Sequence, residues 1–372
     1  MDIVLLVGSL AVILVAAELF TNGIEWFGHK LNLAEGAVGS VLAAVATAMP
    51  ETLIPVIAIL GPVIVGQTAS EASQAVGVGA ILGAPFMLST LAMFVTGIAI
   101  VYFARRGRRG TPMRINTRIL GRDVAFFIVG YGIAIGTAFL PAEVGWLKWV
   151  AAAALFILYA VYVRLHFTDD AEESDGEALN RLHLARVRGL SGPPTIEIDA
   201  FPGAHSVTGH EPRMALIVGQ VLLALGLIVV GAQVFVGAVE HLSTVIGLDP
   251  TILALIIAPI ATELPEKFNS VLWVRNGKDT LAMGNITGAM VFQSCIPTVL
   301  GLLFTTWAFT PESLIHFASA GVAFVSTILI FGGMILRGRL TAWALLIGGP
   351  LYLVYIYLAL FTDLGAVAPP IH

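Results

Sequence analysis

Long apolar blocks constrain the fold of this sequence more than any other feature. They fall at about residues 3–28, 36–60, 74–103, 122–140, 145–165, 214–241, 250–274, 280–307, 313–335 and 340–361. Each is about 20 residues or longer, the length that a helix needs to cross about 30 Å of hydrocarbon. The blocks lack the polar–apolar alternation of membrane β-barrel strands. Only 12% of the residues are charged, about half the share in an average soluble domain. The sequence therefore predicts an all-α integral membrane protein with ten transmembrane helices.

The basic residues support ten spans. All but two of the 19 lysines and arginines lie in the connections that follow the first, third, fifth, seventh and ninth spans. The exceptions are Lys148, at the start of the fifth span, and Lys267, inside the seventh. Positively charged short loops stay in the cytoplasm. We therefore expect a multi-pass protein of the cell membrane (plasma or inner membrane) with both termini on the outer side.

One long polar stretch, residues 166–212, separates the first five spans from the last five. Its acidic run and the segment SGPPTIEIDAFPG are typical of a flexible linker. The sequence thus predicts a first five-helix unit at 1–165, a cytoplasmic linker at 166–212 and a second five-helix unit at 213–372. The single cysteine, Cys295, excludes a disulfide framework and a cysteine-based metal cofactor. Nothing in the sequence suggests binding to nucleic acid.

The two units carry related sequences. NGIEWFGHKLNLAEGAVGSVLAAVATAMPETLIPV aligns with GAVEHLSTVIGLDPTILALIIAPIATELPEKFNSV at a constant offset of 215 residues. The alignment repeats a Thr-x-x-Pro-Glu pattern, at Thr47–Glu51 and at Thr262–Glu266. Because each unit has an odd number of spans, the second must insert upside down relative to the first. Inverted repeats of this kind are typical of secondary transporters, whose sites lie at the repeat interface near the middle of the bilayer.

The repeated pattern places Glu51 near the middle of the second span and Glu266 near the middle of the seventh. An ionised carboxylate there costs at least ~2.5–3.5 kcal/mol, so it must face a cavity, a partner or a metal ion; the alternative is a protonated or paired structural glutamate. Each glutamate follows a proline, which frees the carbonyl four residues back. With the hydroxyls of Thr47 and Thr262, the pattern predicts two locally broken helices that surround a hard cation such as Ca²⁺ with oxygen.

Two further side chains are candidate ligands. Glu263 lies three residues before Glu266 and so on the same helical face, and its counterpart in the first unit is Ala48. The expected site is therefore asymmetric, although Glu263 could instead pair with Lys267. Gln293, in the eighth span, is a neutral oxygen donor, and an interhelical hydrogen bond explains it equally well. The predicted metal ligands are Glu51, Glu266, Glu263, Thr47, Thr262 and Gln293.

These residues resemble the cation/calcium antiporter superfamily, which includes the sodium/calcium exchangers. That family has two inverted five-helix repeats, each with a Gly-Thr-Ser-x-Pro-Glu-like stretch in its second helix, which appears here as Ala46–Glu51 and Ala261–Glu266. The resemblance covers nearly the whole chain. It implies that Ca²⁺ binds between Glu51 and Glu266 and is exported against an inward flow of a monovalent cation, without a resident cofactor.

The sequence differs from this family at the positions whose side chains bind sodium in its sodium-coupled members. There, a serine and an asparagine of the third helix of each repeat supply sodium ligands; here those positions are Ala84, Leu88, Ala289 and Gln293. The loss of side-chain oxygens favours a carboxylate-rich site that exchanges protons for a divalent ion. The motif sequence of the second-helix stretch nevertheless resembles the sodium/calcium branch more than the proton/calcium branch. The sequence therefore leaves the coupling ion open between Na⁺ and H⁺.

Three alternatives remain at this stage. The chain could be a proton-coupled transporter of another divalent cation, a cation channel, or an intramembrane hydrolase with Glu263 and Glu266 as acid and base. The hydrolase lacks a nearby metal-binding histidine pair or a serine nucleophile elbow, and catalysis does not need a mirrored copy of a glutamate. We therefore expect a transporter, not an enzyme, whose partners are inorganic cations and membrane lipids.

Overall fold

The computed structural model describes residues 2–30, 49–64, 66, 68–110, 112–169, 182–184, 212–311 and 313–362. These residues are mainly helical, and the isolated pairing of Pro112 with Thr341 is the only extended pairing among them. The helices are α1 (Asp2–Lys30), α2 (Met49–Ile64), α3 (Glu71–Met87), α4 (Met93–Arg105), α5 (Thr117–Gly136), α6 (Leu147–Asp169), α7 (Met214–Ile246), α8 (Pro250–Arg275), α9 (Asp279–Phe304), α10 (Leu314–Arg337), α11 (Ala342–Leu345) and α12 (Gly348–Phe361).

Eight segments of the described residues are long and apolar enough to cross a membrane, and each coincides with a predicted span. The two remaining predicted spans appear as shorter apolar stretches, at 51–64 in α2 and 250–260 in α8. Residues 36–48 of the predicted second span lie outside the described residues, and α8 carries charged residues in its second half. The all-α membrane fold is therefore confirmed, and its helices fit ten spans in two units. The fifth apolar span ends at Leu165 as predicted, and its helix, α6, continues four residues into the predicted linker, to Asp169.

Packing between the two units follows the repeat. The first span of one unit, α1, pairs with the first span of the other, α7. Helix α3 packs on α8, and its counterpart α9 packs on α2. Helix α5 packs on α9, and its counterpart α10 packs on α3. Each of these contacts between the units therefore has a mirror partner, as expected for an inverted repeat.

Two glycines allow α3 to approach α8 closely. A Cβ atom on Gly79 would lie 2.1 Å from the carbonyl oxygen of Thr251, and one on Gly83 would lie 2.3 Å from that of Leu255. Both distances are far below van der Waals contact, so no side chain fits at either position. Small residues are the usual means by which membrane helices bring their backbones together. This crossing fixes the distance between the helices that line the site described below.

Gly83→Ala is expected to lower the free energy of unfolding by about 1–3 kcal/mol, because the added methyl group overpacks the α3–α8 crossing. The matched control is Gly132→Ala in α5, where no atom lies within 4 Å of the new Cβ. That change should be neutral or stabilising by up to about 1 kcal/mol, since alanine favours the helix. Thermal unfolding of the two purified variants in detergent tests the difference. Equal melting temperatures would mean that the crossing is not tight.

A single π-helical turn, Leu88–Ala92, joins α3 to α4 and was not predicted from the sequence. It follows Pro85, which cannot donate a backbone hydrogen bond. The hydroxyl of Ser326 in α10 donates to the carbonyl of Ser89 at 2.6 Å. Close packing against α12 completes the turn, because a Cβ on Gly348 would lie 2.2 Å from the carbonyl oxygen of Thr90. The irregular backbone is thus satisfied by neighbouring helices, as membrane depth requires.

An ion pair ties the two units together where the connections 106–116, 276–278 and 338–341 meet; we call this end of the helices the basic end. The guanidinium of Arg109 donates to both carboxylate oxygens of Asp279, at 2.5 and 2.7 Å. The N–H of Arg114 donates to the same carboxylate at 2.8 Å. Both side chains of the pair are buried, with 6% and 1% exposed. Sequence analysis assigned Arg109 only to membrane topology and missed this contact.

Three residues of the predicted linker, 182–184, are described, and they contact α1 and α7. The side chain of Leu182 is buried between these helices. The N–H of His183 donates to the side-chain oxygen of Asn22 at 3.1 Å, and that of Leu184 donates to Gln220 at 2.8 Å. The Gln220 amide also donates to Asn22 at 3.0 Å. The linker is therefore anchored to the first helix of each unit, and its residues 170–181 and 185–211 lie outside the described residues.

Candidate cation site

A small cavity lies where α2 and α3 of the first unit meet α8 of the second. Its walls are formed by Glu51, Ile54, Ala80, Ala84, Ala258, Pro259 and Thr262. The volume open to the centre of a water-sized sphere is about 10 Å³, close to what one water molecule needs. The cavity therefore suits a single small polar occupant, and Glu51 and Thr262 are the two polar side chains that the described residues place in its walls.

The carboxylate of Glu51 lies deep within the helices. Its side chain is 6% exposed, and Glu51 lies about 20 Å along α2 from the end at Ile64, at roughly 1.5 Å per residue. Ionised carboxylates at this depth face a cavity and are compensated by a partner. Glu51 meets the first condition, since it lines the cavity.

Thr262 presents an oxygen to the same cavity from the opposite unit. Its hydroxyl is 2% exposed and donates to the carbonyl of Ala258, one turn earlier, at 3.0 Å. Because a hydroxyl group keeps two acceptor lone pairs when its proton is used in this way, the Thr262 oxygen remains available to a cation. The repeated motif thus brings an acidic side chain of one unit and a hydroxyl of the other to one point.

Glu263 and Gln293 are buried, but neither is among the lining residues of this cavity in the described part of the chain. Each side chain is 2% exposed. Glu263 follows Thr262 directly on α8. Gln293 lies on α9, a helix that packs against all three cavity-lining helices, α2, α3 and α8. The structure therefore brings two of the six predicted ligands, Glu51 and Thr262, to one cavity, and it buries Glu263 and Gln293 on α8 and α9.

The other two predicted ligands cannot be placed. Thr47 and the side chain of Glu266 lie outside the described residues. The backbone of α8 is described, and it is a continuous helix from Pro250 to Arg275. The expected helix break at Pro265 is therefore wrong for α8, because a proline removes one hydrogen bond while the surrounding turns keep theirs. Within the described residues, no group of three His, Cys, Asp or Glu side chains forms a closed metal site.

Sequence reasoning anticipated only part of the α3 wall of the cavity, since it named Ala84 as a position without a sodium-ligating side chain and missed Ala80. This wall consists of Ala80 and Ala84, which alternate with the close-contact glycines Gly79 and Gly83 on the helix. The signal was present as a run of small residues in the third span. Because alanine has no side-chain oxygen, α3 contributes no side-chain ligand to the cavity.

A side-chain cap stabilises the N-terminal end of α8, which is the end opposite the basic end. The carboxylate of Asp249 accepts the N–H of Thr251 at 2.7 Å and lies 3.2 Å from Nε2 of His316. Burial alone would raise the pKa of Asp249, but the hydrogen bond and charge of His316, together with the Thr251 hydrogen bonds, lower it overall. A charged cap of this kind stabilises a helix N-terminus, and here it fixes the start of the helix that carries Thr262.

Membrane-spanning helices in two related units, with a buried glutamate where the units cross, define a polytopic membrane transporter. The family described as "Sodium/calcium exchanger protein" matches residues 1–168 and 216–361. The chain therefore belongs to the sodium/calcium exchanger protein family, which places it among exchangers and not among enzymes.

Solved structures share this fold. The H⁺/Ca²⁺ exchanger CAX has a TM-score of 0.65 with 15% identity over 97% of this chain and 82% of its own. Native YfkE has a TM-score of 0.62 with 10% identity, over 95% and 90%. The sodium–calcium exchanger NCX_Mj has a TM-score of 0.54 with 14% identity, over 95% and 97%. At these identities the likeness establishes the fold alone.

One curated relative shares a shorter segment. It is the protein of Alkalimonas amylolytica named "Putative antiporter CaxA", which is 33% identical over 81 residues. That segment is 22% of this chain and 25% of the relative. The match thus spans about a quarter of the relative's length.

Proposed function

We propose that this protein is an antiporter that moves Ca²⁺ across the cell membrane in exchange for protons. The observation that carries the proposal is the cavity in which Glu51 of one unit faces Thr262 of the other. The family of the chain and the fold that it shares with exchangers support antiport. The proposed ligands are Glu51, Glu266, Glu263, Thr47, Thr262 and Gln293.

The donor set favours Ca²⁺ as the substrate. Calcium prefers six to eight oxygen ligands, including carboxylates, in flexible geometry. Glu51 and Thr262 provide a carboxylate and a hydroxyl at the cavity, and Glu263, the residue after Thr262, provides a second buried carboxylate on α8. Of the residues that the structure describes, no histidine lines this cavity, whereas imidazole is a favoured ligand of zinc and copper.

The composition of the cavity walls favours protons as the coupling ions. A sodium site needs several oxygen ligands, and the α3 wall offers only Ala80 and Ala84. A buried carboxylate can instead take up a proton when the divalent cation leaves, and so avoid an uncompensated charge. In this mechanism Glu51 carries either Ca²⁺ or a proton, and the two never share the site.

The orientation follows from the positive-inside rule. In this proposal the basic end faces the cytoplasm, both termini face outward, and the linker 166–212 is cytoplasmic. The units 1–165 and 213–372 then present the two copies of the motif from opposite directions. Access to Glu51 from either side of the membrane is consistent with that arrangement.

Purified protein in liposomes with an acidic interior is expected to accumulate radioactive Ca²⁺ at least several-fold over liposomes without a pH gradient. A potassium–valinomycin clamp removes the contribution of the membrane potential. An outward Na⁺ gradient at uniform pH should drive no uptake. Uptake driven by Na⁺ alone would show that Na⁺, and not the proton, is the coupling ion. Uptake that responds to neither gradient would indicate a channel. If another divalent cation moves and Ca²⁺ does not, the proposed substrate is wrong.

A further inference from the structure

A second cavity opens at the basic end, on helices that do not line the cation site. It lies between α10 and α11, and its volume is about 390 Å³, within the usual range of ligand pockets, ~300–1,000 Å³. Its walls are formed by Leu329, Ile330, Gly333, Arg337, Arg339, Thr341 and Ala344. We call this cavity the α10 groove.

The α10 groove is charged at one end and apolar at the other. Leu329, Gly333 and Arg337 follow one another at intervals of four residues, so they form a single stripe on α10. The stripe is about 12 Å long, at roughly 1.5 Å per residue. Arg337 and Arg339 supply two guanidinium groups at the end of the helix, and Leu329 and Ile330 supply the apolar surface deeper in the membrane span.

The two guanidinium groups are available to an anion. Neither Arg337 nor Arg339 forms an ion pair with another described residue, and no carboxylate lines the groove. Arg109, at the same end of the molecule, differs in this respect because Asp279 binds both of its terminal nitrogens. The charge of the groove is therefore not neutralised within the described chain.

We propose that the α10 groove binds an anionic phospholipid. The phosphate would lie between Arg337 and Arg339, and the first part of an acyl chain would lie along Leu329, Ile330 and the space beside Gly333. A free anion would use only the charged end, whereas a phospholipid matches both ends of the groove. Basic pockets between membrane helices are known to bind such head groups.

The groove also adjoins the contact between the two units at the basic end. Thr341, in its wall, pairs with Pro112 of the connection that carries Arg109. A lipid bound against Arg339 and Thr341 would therefore stabilise the contact between the second unit and this connection of the first. Binding of the lipid should raise the melting temperature of the whole protein, because a ligand of the folded state stabilises it.

The test measures binding of phosphatidylglycerol, with phosphatidylcholine as the neutral comparison, to purified protein in detergent by native mass spectrometry. The double variant Arg337→Gln/Arg339→Gln is expected to bind phosphatidylglycerol about thirtyfold more weakly, from roughly fivefold per arginine. The matched control, Arg105→Gln/Arg108→Gln, removes the same charge from exposed arginines of the basic end and should bind as the wild type does. Equal weakening in both double variants, or in neither, would overturn the proposal.

The variant Gly333→Leu distinguishes binding of a lipid from binding of a free anion. No atom lies within 4 Å of a Cβ at Gly333, so there is open space for the start of a side chain, and a leucine here would take up room in the groove that an acyl chain needs. Phosphatidylglycerol binding should fall while both arginines remain. If Gly333→Leu leaves that binding unchanged and inorganic phosphate displaces the lipid fully, the groove is an anion site and the lipid proposal is wrong.

Discussion

Glu51→Gln is expected to reduce the initial rate of gradient-driven Ca²⁺ uptake by about 100-fold or more. The substitution keeps the shape of the side chain and removes its charge from a cavity in which it is 6% exposed. Loss of one partner of a buried charge pair costs about 3–5 kcal/mol, and about 1.4 kcal/mol corresponds to a factor of ten. The measurement is the initial rate of uptake into liposomes that contain equal amounts of folded protein.

Glu143→Gln is the matched control for this prediction. Glu143 lies in an exposed helical turn between α5 and α6, so the same chemical change removes an acidic charge far from the cavity. Its uptake rate should equal that of the wild type. Equal rates for Glu51→Gln and Glu143→Gln would exclude Glu51 as a ligand of the transported ion, whereas loss of uptake in both would point to a general effect of charge.

Asp279→Asn is expected to lower the free energy of unfolding by about 3–5 kcal/mol, because it leaves the buried guanidinium of Arg109 without its counter-charge. The pair is the main polar contact between the connection 106–116 and the start of α9, and its two side chains are 6% and 1% exposed. Unfolding of the purified protein in detergent, followed by heating or by denaturant, measures the loss.

The double variant Arg109→Met/Asp279→Leu distinguishes the net contribution of the ion pair to stability from the cost of leaving one buried charge unpaired. Replacement of both partners by apolar groups is often close to neutral, because no buried charge is left uncompensated. The double variant should therefore be more stable than Asp279→Asn. If both variants unfold as the wild type does, the ion pair does not hold the two units together.

The helices could be predicted from the sequence because their signals are local. Apolar length located the spans to within a few residues, and the basic residues fixed the order of the connections before any contact was known. The connection that carries Arg109 shows the limit of this reasoning. Its arginines correctly mark an odd-numbered connection, but which of them meets a carboxylate depends on Asp279, which is 170 residues away in the sequence.

The candidate site likewise has residues that could be predicted from the sequence and residues that could not. Glu51 and Thr262 could be found from the repeated motif, because a carboxylate and a hydroxyl inside apolar helices are rare and occurred twice. In the α3 wall, Ala84 was reached only through the resemblance to the exchangers. Ala80 could not be found, since alanine carries no chemical signal and its role depends on which helix it faces. The continuous path of α8 through Pro265 was also beyond local rules, because neighbouring turns and packing decide whether a proline breaks a membrane helix.

Competition between Ca²⁺ and protons at the cavity is the central claim, and a titration of purified protein tests it most directly. Ca²⁺ is added to the protein in weakly buffered detergent solution, and both heat and pH are recorded. The account predicts that Ca²⁺ binds to the wild type with release of protons, and that Glu51→Gln loses both the binding and the release. Wild-type affinity in Glu51→Gln, or Ca²⁺ binding to the wild type with no proton release between acid and neutral pH, would contradict it.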